Sequence, residues 1–269
     1  MVKLWKYLRI GLICGWRVLF EYLTWILPTS RHPDRTPLSV RYAKARSLIV
    51  FVLRHLVIDF KIDNLELLQA KEPTLFIGNH LSMVDALILI ALSPRPVAFV
   101  SKIEARKIIV VGRLITCIDG VFLDREDPFQ AVKAFRKVAN NMKTEGVSYC
   151  VFPEGTRQRD PYSGKLLEFR SGSFKIAHMA KCPMVTFALF GTMHIFSKSP
   201  VRGHLIQIKG LTRYEAEEIA AKKTVELGDI TSEEIAAQLP QLIAFDQENE
   251  SQKPRHKAQK WWKALPKGE

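Results

Sequence analysis

The stretch TLFIGNHLSMVDALILIAL, residues 74–92, joins two apolar runs through a short polar segment that contains His80 and Asp85. The first run is brief and stops at a glycine, which is typical of a buried strand, whereas the second is long enough to form a helix. A strand that leads directly into a helix is the building unit of α/β folds, and side chains at that junction commonly reach a substrate. The stretch therefore predicts an α/β fold and a candidate site at His80.

Two roles of Asp85 remain open on this stretch alone. Ser82 and Asp85 have the S-x-x-D spacing of a capping box, in which the carboxylate serves only to start the helix. His80 would then be a hydrogen-bonding residue at a strand end. Alternatively, Asp85 orients the imidazole of His80, which would be a catalytic arrangement.

A second strand end carries a similarly dense set of polar residues. In YCVFPEGTRQRD, residues 149–160, an apolar run stops at Pro153 and is followed by Glu154, Gly155, Thr156 and Arg157. From about residue 61, short apolar runs alternate with helical periodicity, which predicts a central sheet within a domain of residues 61–212. The clearest helix follows Asp127 and Pro128, an N-cap residue and a first-turn proline, and Gly146 can end it.

The charge of the chain indicates an anionic partner. Its 269 residues include 40 Lys and Arg against 27 Asp and Glu, a net charge of +13. Phospholipid, nucleic acid and an acidic carrier all fit this excess. The four cysteines, at positions 14, 117, 150 and 182, form no CxxC pair, so neither a zinc cluster nor a disulfide framework is indicated and a reducing compartment is expected. No sequence motif of a metal site, a P-loop or a dinucleotide fingerprint is present.

Residues 1–60 combine apolar and aromatic side chains with ten Lys and Arg against three acids, a net charge of +7. Arg17 and Glu21 interrupt the first apolar segment, which makes it a poor membrane span. Tryptophans mixed with cations favour helices that lie on an anionic membrane surface. We therefore expect two membrane-associating helices, the second over residues 47–60, at the cytoplasmic face (the inner membrane if the protein is bacterial). The alternative is that both helices simply pack on the domain.

Residues 213–269 are expected to form C-terminal helices and a basic tail. Thr231 and Glu234 have the spacing of a capping box, which predicts a helix start at Thr231. The adjacent Trp261 and Trp262 stand among lysines, and this pair is compatible either with packing on the domain or with contact to a membrane.

The motifs NHLSMVD and FPEGTR, in this order, resemble those of the glycerolipid acyltransferase family, specifically lysophosphatidate acyltransferases of the bacterial type. The intervening segment FVSKIEARKIIVVGRLITCIDGVFLDR is similar to the family's intermediate block. KCPMVTFALFGT matches a fourth block only in part, because Thr186 stands where the family usually has a second proline. The resemblance covers about residues 61–210 and implies an α/β fold with a central mixed sheet flanked by helices.

The resemblance implies transfer of a fatty acyl group from acyl-CoA or acyl-carrier protein to the free hydroxyl of 1-acyl-glycerol-3-phosphate, giving phosphatidic acid, without a cofactor or a metal. His80 would be the general base, because imidazole titrates near neutral pH, and Asp85 would hold its tautomer. Glu154 would orient Arg157 or the glycerol hydroxyls. The residues expected to bind the phosphate or the acceptor are Lys102, Arg125, Glu154, Gly155, Thr156 and Arg157.

Two other functions remain to be distinguished. The acceptor could be glycerol-3-phosphate or a different lysolipid, because His80 and Asp85 would serve any hydroxyl. A basic lipid-binding module without catalysis is the alternative outside the enzymes. Nucleic acid is not expected as a partner, because few aromatic residues lie near the basic clusters of the central domain and base stacking would need them.

Overall fold

A computed structural model describes residues 2–56, 58–124, 127–197, 204–251, 261–263 and 265. Its sheet has seven strands: β1 (Ile58–Asp63), β2 (Leu75–Gly78), β3 (Val97–Lys102), β4 (Val121–Leu123), β5 (Ser148–Val151), β6 (Met184–Phe190) and β7 (His204–Tyr214). The strand order is β1-β7-β6-β2-β5-β3-β4. β7 runs antiparallel to β6, while every other neighbouring pair is parallel. The predicted mixed central sheet is confirmed.

This topology places the predicted site residues on one edge of the sheet. The strands β6, β2, β5, β3 and β4 all point the same way, so their carboxyl ends meet at a common border, which we call the carboxyl edge. His80 follows β2 and Glu154 follows β5, and these two strands are direct neighbours. In open α/β sheets, ligands bind at this border.

Helices flank the sheet and connect its strands. They are α1 (Val2–Glu21), α2 (Leu27–Arg31), α3 (Leu38–His55), α4 (Leu65–Leu68), α5 (Val84–Leu92), α6 (Ile109–Cys117), α7 (Pro128–Thr144), α8 (Lys175–Ala180), α9 (His194–Ser197), α10 (Ala216–Ala220) and α11 (Thr224–Ser251). The start of α7 is as predicted, because Asp127 accepts hydrogen bonds from the backbone N–H groups of Phe129 and Gln130. Gly146 follows its end with a φ of 65°, a conformation that glycine adopts readily.

The second N-terminal helix differs from the prediction at both ends. It starts at Leu38 instead of residue 47 and ends at His55, because the apolar window of residues 47–60 contains both the end of α3 and the start of β1. Tyr42, Leu48 and Leu53 on α3 are buried in the core. The expected domain limits at residues 60 and 212 remain predictions, although β1 and β7 run across them.

The first helix, α1, carries an exposed apolar face. Among the residues of α1 and the following turn whose side chains are described, the exposed large apolar ones are Leu8, Leu12, Ile13, Trp16, Leu19, Phe20 and Leu23. Most are spaced three or four positions apart, so they share one side of the helix. Within the described ranges, no helix combines the length and the apolarity that a membrane crossing needs. Membrane association of residues 1–60 remains a prediction.

The predicted helix start at Thr231 is wrong. Thr231 lies inside α11, where its hydroxyl donates to the carbonyl of Leu227, because the helix already begins at Thr224. Glu234 instead faces the sheet and accepts hydrogen bonds from the hydroxyls of Thr186, at 2.7 Å, and Thr212. Thr186, at the position where the resemblance implies a proline, therefore connects β6 to α11.

The end of β2 is shaped by Gly78 and Asn79. A Cβ atom at Gly78 would overlap the ring of Phe187 on β6, so a larger residue here would force this buried ring to move. The side-chain amide of Asn79 then donates to the carbonyl of Leu189 at 3.0 Å and its oxygen accepts from the N–H of Leu189 at 2.9 Å. Asn79 thus prolongs the pairing of β2 with β6 and fixes the backbone that leads into His80.

The C-terminal tryptophans pack on the domain. Trp261 is buried and meets Phe60 of β1 edge to face, with ring centroids 4.8 Å apart. The guanidinium of Arg54 on α3 lies 4.5 Å from the ring centroid of Trp262. Of the two alternatives for this pair, the structure shows packing on the domain.

Candidate active site

The site begins with a hydrogen bond between His80 and Asp85. Nδ1 of His80 lies 2.8 Å from Oδ2 of Asp85, whose side chain is fully buried while that of His80 is 20% exposed. A carboxylate at this distance accepts the proton on Nδ1, so the neutral ring keeps its lone pair on Nε2. The pair therefore has the tautomer that a general base requires.

Asp85 is held by three further donors. Its Oδ2 atom also accepts from the backbone N–H groups of Leu81 and Ser82, both at 2.8 Å, and its Oδ1 atom accepts from the hydroxyl of Thr192 at 2.6 Å. The bond from the N–H of Ser82 is the carboxylate half of the predicted capping box. The two roles of Asp85 are therefore compatible, since one carboxylate starts α5 and also holds the imidazole.

The ring of His80 lies on an aromatic surface. It stacks on Phe152, with ring centroids 4.3 Å apart and planes inclined by 11°, and Phe152 is in turn flanked by Phe99 and Phe187. Stacking limits the rotation of the imidazole. The face of an aromatic ring also attracts a cation, so this position of Phe152 favours a protonated imidazole over the ring.

Glu154 supports the backbone of His80. Its Oε1 atom accepts from the N–H of His80 at 2.7 Å and its Oε2 atom accepts from the N–H of Leu167 at 3.0 Å. Burial raises the pKa of this carboxyl group, and the two backbone hydrogen bonds act in the opposite direction. These contacts differ from the expected one with Arg157 because both oxygens are turned toward backbone amides.

The residues that follow Glu154 form a loop that is also hydrogen-bonded to His80. The N–H of Gln158 donates to the carbonyl of His80 at 2.8 Å. Gly155 has a φ of 71°, and its own N–H donates to the carbonyl of Phe152 at 3.0 Å, so that amide is engaged within the turn. Thr156 and Arg157 are exposed at the carboxyl edge.

Lys102 lies further along the same edge, at the end of β3. It is about half exposed, and its ammonium group pairs with Glu104 at 2.9 Å. Arg125 lies outside the residues that the structure describes. The structure thus brings His80, Asp85 and Glu154 into one hydrogen-bonded group and places Thr156, Arg157 and Lys102 on exposed positions of the same border.

Two contributors to this group were not predicted from the sequence. Thr192 follows β6 and Phe152 follows β5. Thr192 contacts Asp85 and Phe152 contacts His80, although neither is a charged residue. The sequence could have indicated Thr192 through its position. It is the first polar residue after the apolar strand that ends in the segment ALFGT, as His80 and Glu154 follow two other apolar strands. Among the described residues, His, Cys, Asp and Glu do not gather into a group of three that could hold a metal ion.

Comparison with known proteins identifies the family of the chain. A family model described as Acyltransferase matches residues 59–189, which include both strand ends of the site. A protein of Mycoplasma pneumoniae named probable 1-acyl-sn-glycerol-3-phosphate acyltransferase is 31% identical over 190 residues, which are 65% of this chain and 69% of that protein. The chain belongs to the acyltransferase family.

Two further comparisons extend beyond the matched segment. An uncharacterized acyltransferase of Schizosaccharomyces pombe is 29% identical over 189 residues, which are 70% of this chain and 60% of the yeast protein's length. The crystal structure of the 1-acyl-sn-glycerophosphate acyltransferase PlsC from Thermotoga maritima superposes with a TM-score of 0.64 at 24% identity, covering 89% of this chain and 98% of the other. The fold is therefore shared over most of both chains.

We expect Thr192→Val to destabilise the protein, because it leaves Oδ1 of the buried Asp85 without its hydroxyl donor. A hydrogen bond to a charged group contributes about 1.5–3 kcal/mol, and the urea midpoint should fall accordingly. Thr192→Ser keeps the hydroxyl and is the matched control. A loss in Thr192→Ser as large as that in Thr192→Val would contradict the assignment of the stabilisation to the hydroxyl.

Proposed function

We propose that this acyltransferase moves a fatty acyl group from a thioester donor to the free hydroxyl of 1-acyl-glycerol-3-phosphate, giving phosphatidic acid. The observation that carries the proposal is the hydrogen bond from His80 to the buried Asp85, at the border where Arg157 and Lys102 are exposed. A base and a set of cations on one edge of the sheet suit an acceptor that has both a hydroxyl and a phosphate. The names of the Mycoplasma and Thermotoga relatives point to the same acceptor.

The proposed chemistry is a direct transfer without an acyl-enzyme. Nε2 of His80 takes the proton of the acceptor hydroxyl while that oxygen attacks the thioester carbonyl. The tetrahedral intermediate collapses, the carbon–sulfur bond breaks, and the imidazolium returns the proton to the departing thiolate. Asp85 and Phe152 stabilise the positive ring between these two proton transfers. No cofactor or metal enters the proposed reaction.

The acceptor phosphate is assigned to the cations of the carboxyl edge. Arg157 offers a planar fork that matches two phosphate oxygens, and Lys102 offers a point charge. Arg125 joins them in this proposal through the family motif. Glu154 acts indirectly, through its hydrogen bond to the backbone N–H of His80. Gly155 forms the turn that leads to Thr156 and Arg157.

We further propose that α1 seats the enzyme on an anionic membrane, at the cytoplasmic face. The apolar face that contains Leu12, Trp16 and Phe20 is exposed, and residues 1–60 carry a net positive charge. Such a helix lies in the interface with its apolar side among the lipids. The four cysteines are unpaired, which fits a reducing compartment. Acyl-CoA and acyl-carrier protein are both anionic donors that the basic chain would attract.

His80→Ala should lower the rate of acyl transfer from oleoyl-CoA to lysophosphatidate by roughly two to four orders of magnitude, the usual contribution of a general base. Product mass gives the rate, and circular dichroism checks the fold. His32→Ala, at an exposed histidine outside the site, is the control and should keep the wild-type rate. Retained activity in His80→Ala would refute the assignment of the base.

Arg157→Gln should raise the KM for lysophosphatidate about tenfold or more with little change in kcat, because a guanidinium–phosphate contact is lost. Arg136→Gln, on the exposed side of α7, removes the same charge elsewhere and should leave KM unchanged. The assay should also offer glycerol-3-phosphate and lysophosphatidylcholine. A wild-type preference for glycerol-3-phosphate would replace the proposed acceptor, and an equal rate with lysophosphatidylcholine would contradict recognition of the acceptor through a terminal phosphate.

Phe20→Glu should reduce flotation of the protein with liposomes that contain anionic lipid by about tenfold or more. Burial of one large apolar side chain contributes about 1.5–3 kcal/mol, and the new carboxylate adds repulsion. Val225→Glu changes an exposed apolar residue of α11 in the same way and should float like wild type. Unchanged flotation of Phe20→Glu would contradict the placement of α1 in the interface.

A further inference from the structure

A cavity of about 750 Å³ lies between α1, α3, the loop that enters β3 and the C-terminal segment. Its wall includes four arginines, Arg17, Arg46, Arg54 and Arg95, together with Phe51 and Trp262. None of the residues of the catalytic group belongs to this wall. The volume is that of a site for a small organic molecule, and the proposed reaction does not use it.

The four guanidinium groups give this cavity a strong positive charge. The described part of its wall contains no carboxylate, although Arg17 pairs with Glu21 of the same helix at 2.7 Å. Arg46 donates to the carbonyl of Ala91 and Arg95 to that of Lys71, and these neutral groups hold the two side chains in place. Burial lowers the pKa of Arg46, which an anion in the cavity would offset.

The cavity continues into an apolar groove on α1. Leu12, Ile13, Trp16 and Phe20 line this groove, and it shares Arg17 and Phe51 with the arginine cavity. A cationic cavity that opens onto an apolar groove suits a molecule with an anionic head and hydrocarbon chains. The same apolar side chains form the exposed face of α1.

We propose that this cavity and groove bind one anionic phospholipid, with its phosphate among Arg46, Arg54 and Arg95 and its acyl chains along α1. Guanidinium groups bind phosphate oxygens through paired hydrogen bonds, and the groove supplies the apolar contact that an inorganic anion could not use. The bound lipid is a ligand distinct from the acceptor at His80. The proposal does not depend on the reaction, since none of its residues touches the catalytic group.

The test is binding of monomeric dihexanoyl phosphatidylglycerol to the full-length protein without an acyl donor, measured by isothermal titration calorimetry. We expect saturable binding that weakens about tenfold or more in Arg54→Gln/Arg95→Gln, since each lost contact is to a charged group. The variant Arg54→Lys/Arg95→Lys should recover part of the affinity because it restores the charge. Thermal unfolding checks that the variants fold.

Three controls decide whether the lipid occupies this cavity. Arg136→Gln/Lys137→Gln removes two exposed charges of α7 and should bind the lipid like wild type. An equal loss of affinity in this variant would show that the effect comes from net charge and not from the cavity. Arg157→Gln should also bind like wild type, whereas weakening there alone would place the lipid in the active site. Dihexanoyl phosphatidylcholine and inorganic phosphate should bind at least about tenfold more weakly. Equal binding of either would overturn the proposal of an anionic lipid.

Discussion

The burial of the Asp85 carboxylate is the constraint on which the site depends. A charge removed from water is stable only when hydrogen bonds replace its hydration, and Asp85 receives four: two backbone amides, the hydroxyl of Thr192 and the imidazole of His80. These donors come from the β2–α5 junction and from the end of β6. Satisfying one carboxylate therefore brings two strand ends together and orients the imidazole of His80 between them.

The second strand end is fixed by hydrogen bonds to the same residue. Glu154 follows β5 and accepts from the N–H of His80, while Gln158 donates to the carbonyl of His80. Both peptide groups of His80 are thus tied to the neighbouring loop, and Phe152 covers its ring. His80 is held in one orientation because its backbone, its ring and its side-chain nitrogen each have a separate partner. Preorganisation of this kind reduces the reorganisation that catalysis would otherwise require.

The local parts of this arrangement could be predicted from the sequence, and the distant parts could not. His80 and Asp85 lie five positions apart at one strand–helix junction, so their spacing placed them together, while the expected role of the pair came from the resemblance carried jointly with the FPEGTR motif. Thr192 is 107 positions from Asp85, and its role follows only from the register of β2 with β6. The start of α3 was misplaced because a window of apolar residues does not reveal where a helix ends and a strand begins. Thr231 and Glu234 matched a capping pattern, but both lie inside α11. The side chain of Glu234 contacts the sheet instead of capping a helix start.

The pairing of β1 with β7 has a consequence for the order in which the chain can fold during synthesis. Ile58 lies beside His204, and Asn64 on the turn after β1 donates to the carbonyl of Gly210, 146 positions later in the chain. Translation proceeds at about 5–20 residues per second, so β1 leaves the ribosome well before its partner strand exists. The parallel strands that carry the site can assemble in the meantime. The β1–β7 edge of the sheet is then completed after the parallel strands. It joins a segment that is synthesised early to one that is synthesised late.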